Sequence, residues 1–222
     1  MKKSVVDLVF ILDASGSMSC LTDSTIKGFN EMLETQKEAL SEDEVLVTIV
    51  TFNTQTTYLT FCEKLDKVEP LSRETYRTGG GTALNDAVGE TINRISTNQA
   101  ENKKKGTKRK SLVIITTDGY ENSSKEYTRA HVKDLIKNKR ELGWEFVFMG
   151  ADIDAQEEGE SLGINRGDCY SIPHNDEGIF LQMRVVCEKA ARFRDIKPDG
   201  EEVLRDFLNG IKLTTDKKRR NI

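Results

Sequence analysis

Asp13, Ser15 and Ser17 alternate along Asp13-Ala14-Ser15-Gly16-Ser17 and offer one carboxylate and two hydroxyls on one short stretch. Oxygen donors of this kind are hard ligands, suited to Mg²⁺ or Mn²⁺ rather than to a soft metal. Gly16, between the two serines, predicts a sharp turn of the backbone. Two later stretches carry related chemistry, Gly79-Gly80-Gly81-Thr82 with a hydroxyl and Thr116-Thr117-Asp118-Gly119 with a second carboxylate. Alone, Asp-x-Ser-x-Ser reads equally well as a polar turn before a helix. Its meaning depends on what brings the three stretches together.

The flanking sequence supplies that. Val5 to Leu12 is apolar apart from Asp7 and reads as a buried strand that ends at Asp13. Ile26, Phe29, Leu33 and Leu40 recur at helical spacing, which predicts a helix from about 23 to 39 capped by Asp23 or Ser24. Val45 to Phe52 is β-branched and short, a second strand. Asn53-Thr54-Gln55 turns the chain into Thr56–Cys62, an antiparallel partner expected at a sheet edge. Residues 63–77 read as a loop with one helical turn. Thr82 stands where an N-cap would stand, before a helix reaching about Ile95. Leu112–Ile115 is a strand ending at Thr116-Thr117-Asp118-Gly119, and Ser123-Ser124-Lys125-Glu126 carries a capping-box signature for a helix to about Leu142. Phe146–Met149, a short helix over 154–162, a weaker strand Cys169–Ile172 and a long helix lined by Ile179, Met183, Val186, Ala190 and Phe193 complete the alternation. Strands alternating with helices, largely without hairpins, imply a mostly parallel sheet covered on both faces. In such a sheet, loops at the carboxyl ends of the strands gather at one edge however far apart they lie in sequence. Asp13, Ser15, Ser17, Thr82 and Asp118 would then form a site of oxygen ligands only.

Composition narrows the classes. The 222 residues are 36% hydrophobic and 32% charged, enough for one sizeable core. The domain is expected over 1–196, with 197–222 an appendage holding a short helix near 201–208 and a basic tail, Lys217-Lys218-Arg219-Arg220. A formal charge of −4 gives no reason to expect a nucleic-acid partner. No stretch is long and apolar enough to suggest a membrane span, and Asp7 breaks the run that would otherwise imitate a signal peptide. Cys20, Cys62, Cys169 and Cys187 are widely spaced and form no CxxC, so reduced thiols and a cytoplasmic location are expected.

The set Asp13-x-Ser15-x-Ser17, a glycine-rich loop with Thr82, and an apolar strand closing in Thr117-Asp118-Gly119 resembles the von Willebrand factor A domain with its metal-ion-dependent adhesion site, or MIDAS. The resemblance runs from about Val5 to Asp195 and includes all five metal-site positions. It implies a Rossmann-like, doubly wound α/β sheet of about six strands with one antiparallel edge strand and helices on both faces. It also implies that the hydroxyls of Ser15, Ser17 and Thr82 bind the ion while Asp13 and Asp118 act directly or through water. Gly16, Gly81, Asp86 and Gly119 would support or rim the site. Carboxylates held back from the ion leave it residual positive charge and an open position. An Asp or Glu carboxylate of a partner protein would fill that position. Such a site recognises rather than catalyses.

Other readings fit less well. A haloacid dehalogenase-type phosphatase needs a second Asp where Ser15 stands, and no paired acidic motif follows. A P-loop is absent because Gly79-Gly80-Gly81-Thr82 lacks the lysine, and no G-x-S-x-G nucleophile elbow occurs. A metal-dependent hydrolase or phosphatase that uses Asp13 and the ion to activate water, and a vestigial site that binds without metal, are the remaining alternatives. His131 reads as a partly packed helical residue and His174 as a loop histidine near the functional edge. Glu121, Asp152 and Asp154 read as solvated rim acids. Arg166-Gly167-Asp168 runs straight into a strand, so its likeness to a cell-adhesion tripeptide is coincidental. Lys103-Lys104-Lys105 with Lys108-Arg109-Lys110 is expected at the opposite, amino edge as a solvated loop.

Overall fold

The computed structural model describes residues 4–39, 43–103 and 108–194. Its centre is β1 (Val5–Asp13), hydrogen-bonded in parallel to β2 (Glu44–Phe52) on one side and β4 (Arg109–Thr117) on the other. Flanked on both sides, β1 is buried from Val6 to Asp13, which explains why it reads as a nearly unbroken apolar run. With β3 (Thr56–Lys64), β5 (Glu145–Ala151) and β6 (Cys169–Ile172) the described strands form one sheet in the order β3-β2-β1-β4-β5-β6. Only the β2–β3 pairing is antiparallel, at the expected edge.

Alternate side chains of β1 feed two cores. Leu8, Phe10 and Leu12 pack with Phe29, Met32 and Leu33 of α1 (Thr22–Glu38) and Met183 and Val186 of α5 (Asp176–Phe193). Val9 and Ile11 pack with Leu84, Val88 and Ile92 of α2 (Leu84–Glu101) and Val132 and Ile136 of α3 (Arg129–Glu141). A short α4 (Ala155–Ser161) covers the same second face through Ala155. Each fully buried side chain of this size contributes about 1.5–3 kcal/mol, so the two layers fix β1 firmly. The chain winds outward from β1 through β2 and β3, then returns to β4 on the other side. The gap between the carboxyl ends of β1 and β4 is therefore the switch point where doubly wound sheets bind ligands.

Helix starts depart from the sequence expectation. The chain enters α1 from a 3₁₀ turn over Gly16–Leu21, so Leu21 occupies the cap position and neither Asp23 nor Ser24 caps it. Asp23 instead pairs with Arg73, and Ser24 hydrogen-bonds Asp176 of α5. Ala83 rather than Thr82 precedes α2, which continues past Ile95 to Glu101. The capping-box segment is not helical, and α3 begins at Arg129 behind a Thr128 cap that accepts the His131 N–H. The reason is Asp86, whose carboxylate accepts the backbone N–H groups of Lys125, Glu126 and Tyr127 at 2.8, 2.9 and 2.7 Å and holds them in a loop. The appendage over 197–222, its helix and its basic tail lie outside the described residues, as do 104–107 of the basic loop.

At the amino edge, Asp7 is 2% exposed and accepts from Arg109 on both its oxygens, at 2.7 Å each, with Gln99 and Ser111 as further donors to Oδ2. The pairing with Asp7 pushes the Arg109 guanidinium further up from its ordinary value. Removing one partner of a buried pair leaves a charge stranded. Asp7→Ala is expected to destabilise the domain by about 3 kcal/mol in denaturant unfolding. Because Asp7 lies at the edge opposite Asp13, the same variant should leave divalent-cation binding unchanged by calorimetry.

Candidate metal centre

Asp13 is the last residue of β1 and is 1% exposed. Its Oδ1 accepts the backbone N–H of Ser15 at 2.7 Å, a two-residue Asx turn that bends the chain off the strand. Its Oδ2 accepts the hydroxyl of Thr117, the last residue of β4, at 2.5 Å. The pairing of Leu12 with Thr116 places these two residues level across the sheet. Buried Tyr76 donates its phenol to the Asp13 carbonyl at 2.5 Å. Both carboxylate oxygens and the carbonyl of Asp13 are thus occupied by donors. Burial nevertheless pushes its carboxyl up from the ordinary value, against the Thr117 and Ser15 bonds, and the charge of Asp118 adds to the rise.

Asp118 follows β4 directly, and its side chain is only 1% exposed. Its Oδ1 accepts the Ser17 hydroxyl at 2.7 Å and lies 3.4 Å from the Ser15 hydroxyl. The two serine hydroxyls are 3.2 Å apart. Ser15 is buried whereas Ser17 is exposed, so the cluster opens to solvent on the Ser17 side.

The glycine loop is stitched to this cluster through backbone. Gly16 N–H donates to the Gly80 carbonyl at 3.0 Å, and Gly79 N–H to the Ala14 carbonyl at 2.9 Å. Gly80 has φ +77°, open chiefly to glycine. Gly16 opens the 3₁₀ turn that follows the Asx turn of Asp13, without adopting a left-handed conformation. Its use is close approach, since a Cβ there would stand 3.3 Å from the Gly80 oxygen. Gly81 is tighter still, with Ser123 Oγ 2.1 Å from where a Cβ would be. Thr82 is buried and clamped by Asn122, whose Oδ1 accepts the Thr82 N–H at 2.8 Å and whose N–H donates to the Thr82 carbonyl at 3.0 Å. The Thr82 hydroxyl stands 3.4 Å from the point a Cβ on Gly119 would occupy, beside Asp118.

Asp13, Ser15, Ser17 and Asp118 therefore meet at the switch point, with the Thr82 hydroxyl against neighbouring Gly119. Asp86 does not line the cluster; it pins the loop that follows Asp118. Glu121 is likewise structural rather than a solvated rim acid, accepting the N–H groups of Ser123, Ser124 and Asn85 at 2.7–2.8 Å. Asp154 caps α4 by accepting the Glu157 N–H. Arg166 and Asp168 pair with Glu160 and Lys189. His131 is exposed and stacks on Tyr127. His174, read as a loop histidine, is at the site, with Nε2 2.9 Å from Asp118 Oδ2. Thr117 lies in the motif that ends β4 and His174 follows β6 at the same edge, whereas Tyr76 and Asn122 carry no local signal of their part.

Among the described residues no group of three His, Cys, Asp or Glu side chains could hold an ion. A cation at this site would depend on the hydroxyls, and two buried carboxylates beside three hydroxyls fit a hard divalent ion.

A model of the von Willebrand factor type A domain family matches residues 7–179. Comparison with curated proteins gives no match. Among solved structures, proximal thread matrix protein 1 from the mussel byssus, in a form described as having a zinc-occupied MIDAS motif, aligns with a TM-score of 0.58 at 17% identity, covering 85% of this chain and 46% of that one. The von Willebrand domain of the type V pilus tip protein Mfa5 from Porphyromonas gingivalis aligns at 0.60 and 9% identity, covering 90% and 99%. The pilus adhesin SpaC from Lactobacillus rhamnosus GG aligns at 0.60 and 14% identity, covering 85% and 31%. The chain spans about half the length of the byssus protein. At these identities the likeness is one of fold. The family model covers most of the chain, and the protein belongs to the von Willebrand factor type A domain family.

Proposed function

We propose that the chain is a metal-dependent protein-interaction module, in which Mg²⁺ or Mn²⁺ held at Asp13, Ser15, Ser17, Thr82 and Asp118 takes an Asp or Glu carboxylate of a partner protein. The observation that carries this reading is the meeting of the Ser15 and Ser17 hydroxyls on Asp118 Oδ1, beside Asp13 and open to solvent on one side. Hydroxyl ligands contribute no charge, so the ion keeps enough to attract an anion. The byssus protein described with a zinc-occupied MIDAS supports a divalent ion, and the pilus tip protein and pilus adhesin among the structural neighbours support a protein partner.

A binding role suits Asp13 better than an enzymatic one. Both its oxygens are engaged by Ser15 and Thr117 and the side chain is buried, so it is poorly placed to attack a phosphate. We place the chain in the cytoplasm, on the wide spacing of Cys20, Cys62, Cys169 and Cys187 in the sequence.

A metal at 100 times its Kd should stabilise the domain by about 2.7 kcal/mol, or about 5–10 °C in Tm. Asp13→Asn can keep both hydrogen bonds, with Oδ1 still accepting from Ser15 and the amide donating to Thr117. It is expected to lose the metal-induced gain in Tm while being at least as stable as the wild type in EDTA. Stability tied to a raised carboxyl is present below the ordinary carboxylate pKa and fades as pH rises through the raised value. Metal binding needs the ionised form, so the metal-induced gain in Tm should shrink as pH falls from neutral toward the carboxylate range. A gain that persists undiminished in Asp13→Asn contradicts the site.

Partner capture is the functional test. Proteins retained from native lysate on immobilised chain in Mg²⁺ should be released by EDTA and not retained by Thr82→Ala. Retention that survives both would sink the metal-bridged mechanism.

A further inference from the structure

The Asp118 carboxylate has two oxygens with different surroundings. Oδ1 faces the hydroxyls of Ser15 and Ser17, and Oδ2 faces Nε2 of His174 at 2.9 Å. An ionised carboxylate only accepts, so the proton of this contact is assigned to Nε2. The imidazole is 20% exposed while the Asp118 side chain is 1% exposed, so the ring stands between Oδ2 and water.

His174 is itself held from both sides. Pro173 precedes it at the end of β6, and Asn175 follows as the cap of α5, with its Oδ1 accepting the Gly178 N–H at 2.8 Å. A Cβ on Gly178 would lie 1.8 Å from the Pro173 carbonyl oxygen, so the loop carrying His174 sits directly on the first turn of α5. Asp176 then ties that turn to Ser24 of α1. The imidazole is therefore on a short arm fixed at both ends, as a group that orients a ligand must be.

We infer that His174 is a positioning residue of the metal centre: by donating Nε2–H to Oδ2, it turns Oδ1 of Asp118 toward the serine hydroxyls and so sets the affinity for the divalent ion. This rests on the metal-binding function proposed above. Without the imidazole only the serine hydroxyls on Oδ1 hold the carboxylate, and Oδ2 is open to water. Hydrogen bonds that orient a metal-binding carboxylate are commonly worth 10–100-fold in affinity. The role is distinct from direct ligation, because the imidazole occupies the carboxylate oxygen that the serines do not.

The test is Mn²⁺ titration of the full chain by calorimetry, comparing wild type, His174→Ala and His174→Gln, with thermal unfolding in EDTA alongside. His174→Ala is expected to bind Mn²⁺ about 10-fold more weakly, while remaining folded in EDTA with a metal-free Tm lowered by only about a few degrees. His174→Gln, whose amide can donate from the Nε2 position, should regain most of the loss. Nitrogen-15 NMR of the metal-free wild type should show His174 as the Nε2–H tautomer. Wild-type affinity in His174→Ala overturns the inference while leaving the metal site intact. A nitrogen coupling from His174 in the Mn²⁺ electron-spin-echo spectrum overturns it in favour of direct ligation. Failure of the wild type to bind Mn²⁺ overturns the metal reading and this inference with it.

Discussion

The hydrogen bond from Thr117 to Asp13 joins the last residues of the two strands on which the molecule turns. β1 lies at the centre of the sheet and β4 is its neighbour across the switch point. Burying Asp13 there is unfavourable unless donors or a cation compensate, and its raised carboxyl records that tension. The donors come from Ser15 and Thr117, and two apolar layers keep both strand ends in place. A carboxylate anchored on rigid strands, rather than on a free loop, keeps the hydroxyls beside it in register.

The rest of the site is arranged around that anchor by backbone contacts. The glycine loop is laced to Ala14 and Gly16, Thr82 is clamped by Asn122, and Asp86 gathers three N–H groups of the segment beyond Asp118. Glycine at 81 is required by contact with Ser123, and at 80 by its backbone angle. The polar residues here thus divide into those forming the cluster of hydroxyls and carboxylates and those fixing the loops. Asp86 and Glu121 belong to the second group although their acidity suggests the first.

Much of this was legible in the sequence, for a physical reason. Strands buried on both faces must be apolar throughout, so Val5–Leu12, Val45–Phe52 and Leu112–Ile115 stood out, and polar residues at their ends marked the site. Helix starts were less legible because capping signals depend on who supplies the acceptor. Ser123-Ser124-Lys125-Glu126 has the composition of a capping box, but Asp86, far away in sequence, takes the N–H groups that would begin the helix. Ser24 is drawn to Asp176 on another helix. His174, Tyr76 and Asn122 act through contacts across 40 or more residues, which no local pattern carries.

The central claim is that one divalent cation sits among the three loops. Anomalous diffraction from a crystal of the chain grown with Mn²⁺ measures this most directly. The account expects one peak at the carboxyl edge between β1 and β4, with the hydroxyl oxygens of Ser15, Ser17 and Thr82 at about 2.1 Å, the distance given by small octahedral oxygen sites. A crystal with no anomalous density between Asp13 and Asp118, or with manganese only elsewhere, would contradict it.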